Sequence, residues 1–177
     1  MSLHFQRTIQ QALQNIGQHT YHQLLISEEK RAADNFPGLI EHYGKKKWEI
    51  VDLLNEKYSQ VLQDKFDLYN WLNFDENDEV AYFLNEAGSN AINYSDHKIP
   101  YKFHLWLGEK GFIIGVEQLG RGFNAVEINK KRSKENEGAA FDFFRKCKSS
   151  IFFDDPEEAR MVLMESLFTP GADRFRV

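Results

Sequence analysis

The 177-residue chain contains a single cysteine, Cys147, which excludes an intramolecular disulfide framework. It has only four prolines, and no apolar run approaches the roughly 20 residues of a membrane-spanning helix. Residues 1–18 are interrupted by Gln and His and lack the apolar core of a signal peptide. A net charge of −5 leaves no general excess of basic residues. We therefore expect a soluble, cytoplasmic protein that binds neither nucleic acid nor membranes.

The composition is that of a globular protein, with 42% hydrophobic and 14% aromatic residues. The length suits one domain with a substantial core. Helical patterns cover residues 3–16 and 46–62, with a short strand pattern at 21–26 and a break at 36–38. We interpret residues 1–72 as an N-terminal helical segment that can contribute a first strand and helix to the fold.

The segment after residue 75 has the spacing of a capped amphipathic helix. Asp75 or Asn77 can cap it, because a short side-chain oxygen accepts hydrogen bonds from the free N–H groups of the first turn. Glu86, Asn90 and Asn93 are three or four residues apart and share a stripe beside the apolar face. That face consists of Val80, Phe83, Leu84, Ala87, Ala91 and Tyr94. The helix thus presents a carboxylate and two amides at the edge of the core.

After this helix the hydrophobic period changes from about 3.6 to 2, which predicts strands. The pattern predicts two strands, 103–107 and 112–117, joined by a turn, and then a charged loop at 129–136. A helix at 139–147 follows, then two more strands, 149–153 and 160–167, around a second turn, and a tail at 169–177. The second strand is almost continuously apolar, which indicates a central position in a sheet.

Two motifs, together with this order of elements, resemble the ATP-binding domain shared by gyrase-type topoisomerases, sensor histidine kinases and anti-sigma-factor serine kinases. Residues 86–95 read EAGSNAINYS and resemble the asparagine box, in which a glutamate precedes an asparagine by four residues. Residues 116–123 read VEQLGRGF and resemble the first glycine box, a strand ending in Asp-x-Gly-x-Gly-Phe. The resemblance covers about the second half of the chain. It is closest in character to the ATP-binding domains of stand-alone anti-sigma-factor serine kinases and of sensor histidine kinases.

The resemblance implies an α+β fold of the histidine-kinase-like ATPase type. This fold is a two-layer α/β sandwich whose mixed, mostly antiparallel sheet is covered on one face by helices. The domain would span residues 73–168, followed by a C-terminal tail at 169–177. The implied function is that of an ATP-binding signalling module, such as a protein serine/threonine kinase or an anti-sigma-type regulator that uses Mg-ATP.

The resemblance also implies roles for individual residues. Glu86 would be the general base, and Asn90 would supply an oxygen ligand to the Mg²⁺ that bridges the phosphates. Asn93 would contact phosphate oxygens. The remaining nucleotide contacts would come from the glycine boxes, where a missing Cβ lets the backbone approach the ligand: Gln118, Gly120, Gly122, Phe123 and Gly138.

Two positions depart from the family pattern. Gln118 replaces the aspartate that accepts a hydrogen bond from the adenine amino group; its carbonyl can still accept, but the side chain is longer and neutral. The second glycine box, EGAAF at 137–141, retains only Gly138. The loop before it is basic, through Lys130, Lys131, Arg132 and Lys134. These departures favour an alternative, a non-catalytic interaction module of the same fold that has lost its nucleotide.

No other catalytic or metal-binding pattern stands out. His19 and His22 have no acidic or thiol partners nearby in the sequence. His104 is interpreted as a sheet residue and Cys147 as a core residue. No histidine lies in a phospho-acceptor pattern, so we do not expect a complete sensor histidine kinase. We expect instead that the protein phosphorylates a protein partner, or releases one when nucleotide binds. The two N-terminal helices are the first candidates for a partner or homodimer surface.

Overall fold

The computed structural model describes residues 2–26, 36–59, 79–94, 100–131 and 139–168, without the side chains of residues 36, 37, 89–94, 100, 101 and 139. In chain order, the helices and strands of this part are α1 (Ile9–Ile16), β1 (His19–Leu25), α2 (Phe36–Tyr58), α3 (Glu79–Tyr94), β2 (Pro100–Gly108), β3 (Gly111–Gln118), α4 (Ala125–Lys131), α5 (Ala139–Lys146), β4 (Ser150–Phe153) and β5 (Met161–Leu167). The predicted α+β class is confirmed.

The five named strands form one sheet in the order β1-β2-β3-β5-β4. Each neighbouring pair is antiparallel. β3 is the middle strand, as its continuous apolar sequence predicts. Leu3 adds a parallel bridge to Ile151, so the segment before α1 runs beside the outer edge of β4.

Alternation along the strands gives each face of the sheet its own core. On the first face, residues such as Phe103, Phe112 and Ile114 pack with α2, α3 and α5. On the second face, Ile113, Phe152 and Leu163 pack with Ala12 and Ile16 of α1. The expected helical layer is therefore present on the first face, and α1 covers part of the second face in addition.

Helix α1 begins later than the sequence pattern predicts. Thr8 caps it, because its Oγ1 accepts a hydrogen bond from the Gln11 backbone N at 3.3 Å. The Gln11 side chain accepts in return from the Thr8 backbone N at 3.0 Å. This reciprocal capping box fixes the start of the helix at Ile9. The prediction of a helix from residue 3 is therefore wrong.

Residues before the cap are extended and pair with β4. The His4 N–H donates to the Ile151 carbonyl at 2.8 Å, and the Ile151 N–H donates to the Ser2 carbonyl at 2.7 Å. Phe5, whose position fits the helical period of α1, stacks instead on Phe153 at 5.8 Å. The apolar spacing reflects burial of an extended segment and not a longer helix.

Two other elements also differ from the sequence prediction. Helix α2 begins at Phe36, so residues 36–38 are its first turn and not a break. Proline is tolerated there because first-turn N–H groups have no intrahelical partner. Helix α4 overlaps the predicted loop at 129–136, and Asn124 caps it by accepting from the Glu127 N–H at 2.8 Å.

The other predicted elements within the described residues are confirmed, namely β1, α3 from Glu79 onward, β2, β3, α5, β4 and β5. The predicted inward side of α5, which carries Ala140, Phe143, Phe144 and Cys147, is buried. The end of the second predicted helix at 60–62, the polar connection at 73–77 and the tail at 169–177 lie outside the described residues. Among the described helices, none combines the length and apolar character needed to cross a bilayer.

Candidate functional site

Helix α3 carries the candidate base Glu86 beside its buried face. Gly88 lets α2 pack closely on this helix, because a Cβ there would overlap the ring and hydroxyl of Tyr43. Glu86 is half-buried, and burial raises the pKa of its carboxyl group. No charged or hydrogen-bonding neighbour among the described residues offsets this effect. A desolvated carboxyl group without a compensating partner is a candidate functional group.

The chain turns sharply after β3. Gly120 has a φ of 87°, in the left-handed region that favours glycine. The buried Gln118 side chain helps to close this turn, because its Nε2 donates to the Arg121 carbonyl at 3.2 Å. Its backbone N–H donates to the Arg160 carbonyl at 2.9 Å. The amide group that the family resemblance assigns to adenine therefore has a hydrogen bond within its own turn.

Gly122 lies against the loop that connects β4 and β5. A Cβ at this position would overlap the carbonyl group of Glu158. The next residue, Phe123, forms an antiparallel bridge with Ala159 through backbone hydrogen bonds of 3.0 and 2.8 Å. Its ring contacts Phe153 edge-on at 5.9 Å. Close approach of two chain segments is thus sufficient to require glycine here.

We expect Gly122→Ala to lower the free energy of unfolding by about 1–3 kcal/mol, because overpacking would displace a bridged backbone. Urea unfolding of the purified protein measures this loss. Gly44→Ala is the matched control: Gly44 lies within α2 and a Cβ there has nothing within 4 Å. Alanine should stabilise that position by about 0.5–1 kcal/mol. Equal stability of the Gly122 variant and the parent protein would contradict the packing argument.

Helix α3 runs towards the end of the sheet at which the glycine bend lies. At its start, the Glu79 carboxylate accepts the Ser149 backbone N–H at 3.1 Å, just before β4 and close to the beginning of β3. After the helix, Pro100 pairs with Gln118 at the end of β3. The C-terminal part of α3 and the bend therefore lie towards the same end of the sheet.

For some of the predicted site residues the structure describes the side chain, for others only the backbone, and for one it describes neither. The backbones of Asn90 and Asn93 belong to the C-terminal half of α3, whereas their side chains and all of Gly138 lie outside the description. Nucleotide roles for these residues, and for Glu86, Gln118, Gly120, Gly122 and Phe123, stay predictions. Within the described ranges, no group of three or more His, Cys, Asp or Glu residues is arranged to hold a metal ion.

A second cluster, which sequence reasoning did not identify, lies on the face of the sheet that α1 partly covers. The Tyr21 hydroxyl is 2.7 Å from Nδ1 of His104. Nε2 of His104 is 2.6 Å from Oε2 of Glu117. The available signal was the alternation of His104 and Glu117 with apolar residues in β2 and β3. The partner on β1 became identifiable only from the strand register.

No protein-family model matches this chain, and no curated protein is similar enough in sequence to count as a relative. The resemblance to histidine-kinase-like ATPases accordingly depends on the two motifs and the order of elements.

Proposed function

We propose that the protein is a cytoplasmic, ATP-binding regulatory module of the histidine-kinase-like ATPase class. It would use Mg-ATP to phosphorylate a serine or threonine of a protein partner, or to control that partner's release in the manner of an anti-sigma regulator. The observation that carries the proposal is the half-buried Glu86 carboxyl group on α3, whose pKa is raised by burial.

In this proposal each residue of the asparagine box has one task. Glu86 accepts the proton of the attacking hydroxyl, a role suited to a carboxyl group whose pKa is raised towards neutrality. Asn90 would hold Mg²⁺ through its carboxamide oxygen, and Asn93 would contact phosphate oxygens. Bound Mg-ATP supplies the phosphoryl group to be transferred. Charge placement and proton acceptance are the chemistry that the protein contributes.

The two ends of this candidate site support the proposal unequally. At the phosphate end, the desolvated Glu86 carboxyl group has no hydrogen bond or ion pair among the described residues, which supports its role as the base. The adenine end departs from the family pattern. The Gln118 amide group donates to the Arg121 carbonyl, and the Glu158 carbonyl group occupies the space beside the Gly122 Cα. We therefore expect stronger recognition of the phosphates than of the base, and weak discrimination between ATP and GTP.

Thermal unfolding with and without Mg-ATP tests the proposal directly. Ligand at 100 times Kd should add about 2.7 kcal/mol to the free energy of unfolding. Asn90→Ala should abolish this effect, and Glu86→Ala should retain it while removing phosphoryl transfer. Asn85→Ala is the control from the same helix, because the Asn85 side chain instead accepts a hydrogen bond from Lys47. Equal stabilisation of the Asn90 and Asn85 variants would contradict the predicted metal ligand.

A substitution at Gln118 tests the alignment of the glycine box. Restoring the family residue with Gln118→Asp should strengthen ATP binding relative to GTP, because a carboxylate accepts the adenine amino group more strongly. Titration calorimetry with both nucleotides measures the ratio of their Kd values. An unchanged or smaller preference for ATP over GTP would show that the adenine base does not lie against residue 118.

The alternative function is a non-catalytic interaction module of the same fold. The observation that favours it is the structural use of the glycine box, in which Gln118 and Gly122 serve the turn and the adjoining loop. In this case α1 and α2 are the first candidates for a dimer or partner surface. Absence of any thermal shift with millimolar purine nucleotides would favour this alternative.

A further inference from the structure

On the second face of the sheet, the neighbouring strands β1, β2 and β3 carry partly exposed side chains, among them Tyr21, Leu25 and Trp106. We propose that Tyr21, His104 and Glu117 form a reactive unit there, in which the Tyr21 hydroxyl accepts an acyl group from an activated carboxylic ester. Tyr21 is the nucleophile, His104 is the base, and Glu117 is the positioning residue. This proposal is independent of nucleotide binding on α3.

The geometry is that of a nucleophile, a base and an orienting group in series. Tyr21 is on the edge strand β1, His104 on β2 and Glu117 on the central strand β3. The two links are 2.7 Å, from the Tyr21 hydroxyl to Nδ1 of His104, and 2.6 Å, from Nε2 to Oε2 of Glu117. Three neighbouring strands of a rigid sheet therefore fix all three side chains.

Hydrogen-bond chemistry assigns the direction of the chain. A carboxylate only accepts, so Nε2 of His104 carries the proton that faces Glu117. Nδ1 of the neutral ring is then an acceptor, and the Tyr21 hydroxyl donates to it. Burial raises the pKa of the Tyr21 phenol, so it stays protonated at neutral pH and needs a base for attack. His104 is in direct contact with that proton.

Exposure separates the nucleophile from the two supporting groups. The Tyr21 residue is 49% exposed, whereas His104 is 9% exposed and sits between its two partners. The Tyr21 ring also stacks on Trp106 at a centroid distance of 5.1 Å, which holds the phenol in one orientation. The Tyr21 side chain is thus partly accessible to an incoming ester, while His104 is shielded from bulk water.

The surroundings favour a small apolar acyl group over a phosphate. Leu25 on β1 is 43% exposed, and Trp106 and Met161 are partly exposed on the same face. The Glu117 carboxylate would repel a dianionic phosphate. Lys102 pairs in register with Glu117 and lowers the pKa of the Tyr21 phenol, although burial is the larger effect. Its positive charge would favour the oxyanion that forms on the ester carbonyl.

The step balances without a cofactor. The Tyr21 hydroxyl oxygen attacks the ester carbonyl carbon, and its proton passes to Nδ1 of His104. The bond from carbon to the leaving oxygen of the activated ester breaks, and the leaving group departs with the electron pair as a phenolate of lower basicity than that of Tyr21. Glu117 stabilises the resulting imidazolium through Nε2. The proton then returns to solvent, and Tyr21 carries a new aryl ester.

Reaction of the full chain with p-nitrophenyl acetate tests the proposal. Release of p-nitrophenolate is followed by absorbance, and the acetylated residues are located by peptide mass mapping. We expect Tyr21 to be acetylated about 100-fold or more faster than a blocked tyrosine amide, the range that a positioned base supplies. Tyr21→Phe should remove this fast phase while keeping the ring stack on Trp106. A Tyr21 rate equal to that of the model compound would overturn the proposal, and this comparison needs no variant.

Two further variants separate chemistry from packing. His104→Gln should lower the rate at Tyr21 by about 100-fold or more. Glu117→Gln should keep the tautomer, because the amide oxygen still accepts from Nε2, but it loses the charge that stabilises the imidazolium, so the rate at Tyr21 should fall. The charged or titratable groups that face His104 are Tyr21 from β1, Lys102 from β2 and Glu117 from β3. An unchanged rate in the Glu117→Gln variant, which keeps the shape and the hydrogen bond, would reduce Glu117 to a packing role and overturn the assigned unit.

Discussion

Replacing Arg7 by alanine is expected to lower the free energy of unfolding by about 3–5 kcal/mol, the cost of leaving one member of a buried ion pair unpaired. Arg7 Nε lies 2.6 Å from Glu165 Oε2, and Nη2 donates to Oε1 at 2.9 Å. Asn15 Nδ2 also donates to Oε1 at 2.9 Å. Glu165 is only 2% exposed, so its carboxylate has little contact with water and depends on these partners.

The size of this effect follows from where the pair lies. Arg7 belongs to the segment that connects the extended N-terminus with α1, and Glu165 belongs to β5 within the sheet. The pair therefore joins the N-terminal segment to the second face, and its loss should also weaken the packing of α1. Hydrogen exchange of the α1 amides should accelerate more than exchange of the β3 amides.

Urea unfolding measures this loss of stability, and two further variants serve as comparisons. Lys45→Ala removes an ion pair whose side chains are 67% and 69% exposed, and it should change stability very little. The double variant Arg7→Met with Glu165→Leu removes both charges and should recover most of the loss, because no unpaired charge is left. A loss below 1 kcal/mol for Arg7→Ala would show that solvent reaches the carboxylate.

Local periodicity was sufficient to predict most of the fold. β3 was identified from its continuous apolar run, and the observed strand, Gly111–Gln118, exceeds the predicted range by one residue at each end. Errors occurred where one burial pattern suits two conformations. Phe5 has helical spacing relative to Ile9, yet it stacks on Phe153 from a bend in the non-helical segment before α1. The capping box at Thr8 and Gln11 was a local signal that would have corrected this prediction.

The sites were less predictable, because they depend on contacts between distant parts of the chain. Gly122 matches a nucleotide motif in the sequence, but its need for glycine comes from Glu158, which approaches only after β4 and β5 form a hairpin. Tyr21 and His104 are 83 positions apart and meet through the register of β1 with β2. The sequence shows which residue types are present, whereas pairing decides which of them act together.

The protein is also expected to lose stability steeply above about pH 10, because two buried tyrosine hydroxyls must stay protonated in the fold. Tyr43 donates to the Leu84 carbonyl, and Tyr58 donates to the carbonyls of Gly108 and Gly111 at 2.9 and 3.1 Å. Burial raises the pKa of both phenols well above the usual value. Their contribution to stability is complete below about pH 10 and decreases above it.

The sign follows from proton binding. Above about pH 10 the unfolded chain releases phenol protons that the folded chain retains, so the free energy of unfolding falls by about 1.4 kcal/mol per pH unit for each tyrosine. Burial also raises the pKa of Cys147, which adds a loss that begins near pH 9. Burial lowers the pKa of Lys47, which opposes these losses only up to about pH 10.4. Above that pH the contributions of Tyr43, Tyr58 and Cys147 all have the same sign.

Urea unfolding between pH 8 and about pH 11.5 tests this expectation through the slope of stability against pH. Tyr43→Phe and Tyr58→Phe should each cost about 0.5–1.5 kcal/mol at neutral pH through the lost hydrogen bonds. Each variant should also reduce the alkaline slope by about 1.4 kcal/mol per pH unit, since phenylalanine cannot ionise in the unfolded chain. Tyr21→Phe is the comparison at an exposed position and should alter the slope less. If the two core variants kept the parent slope, the buried hydroxyls would have to ionise within the fold, which the packing of Tyr58 against Phe112 and Phe168 opposes.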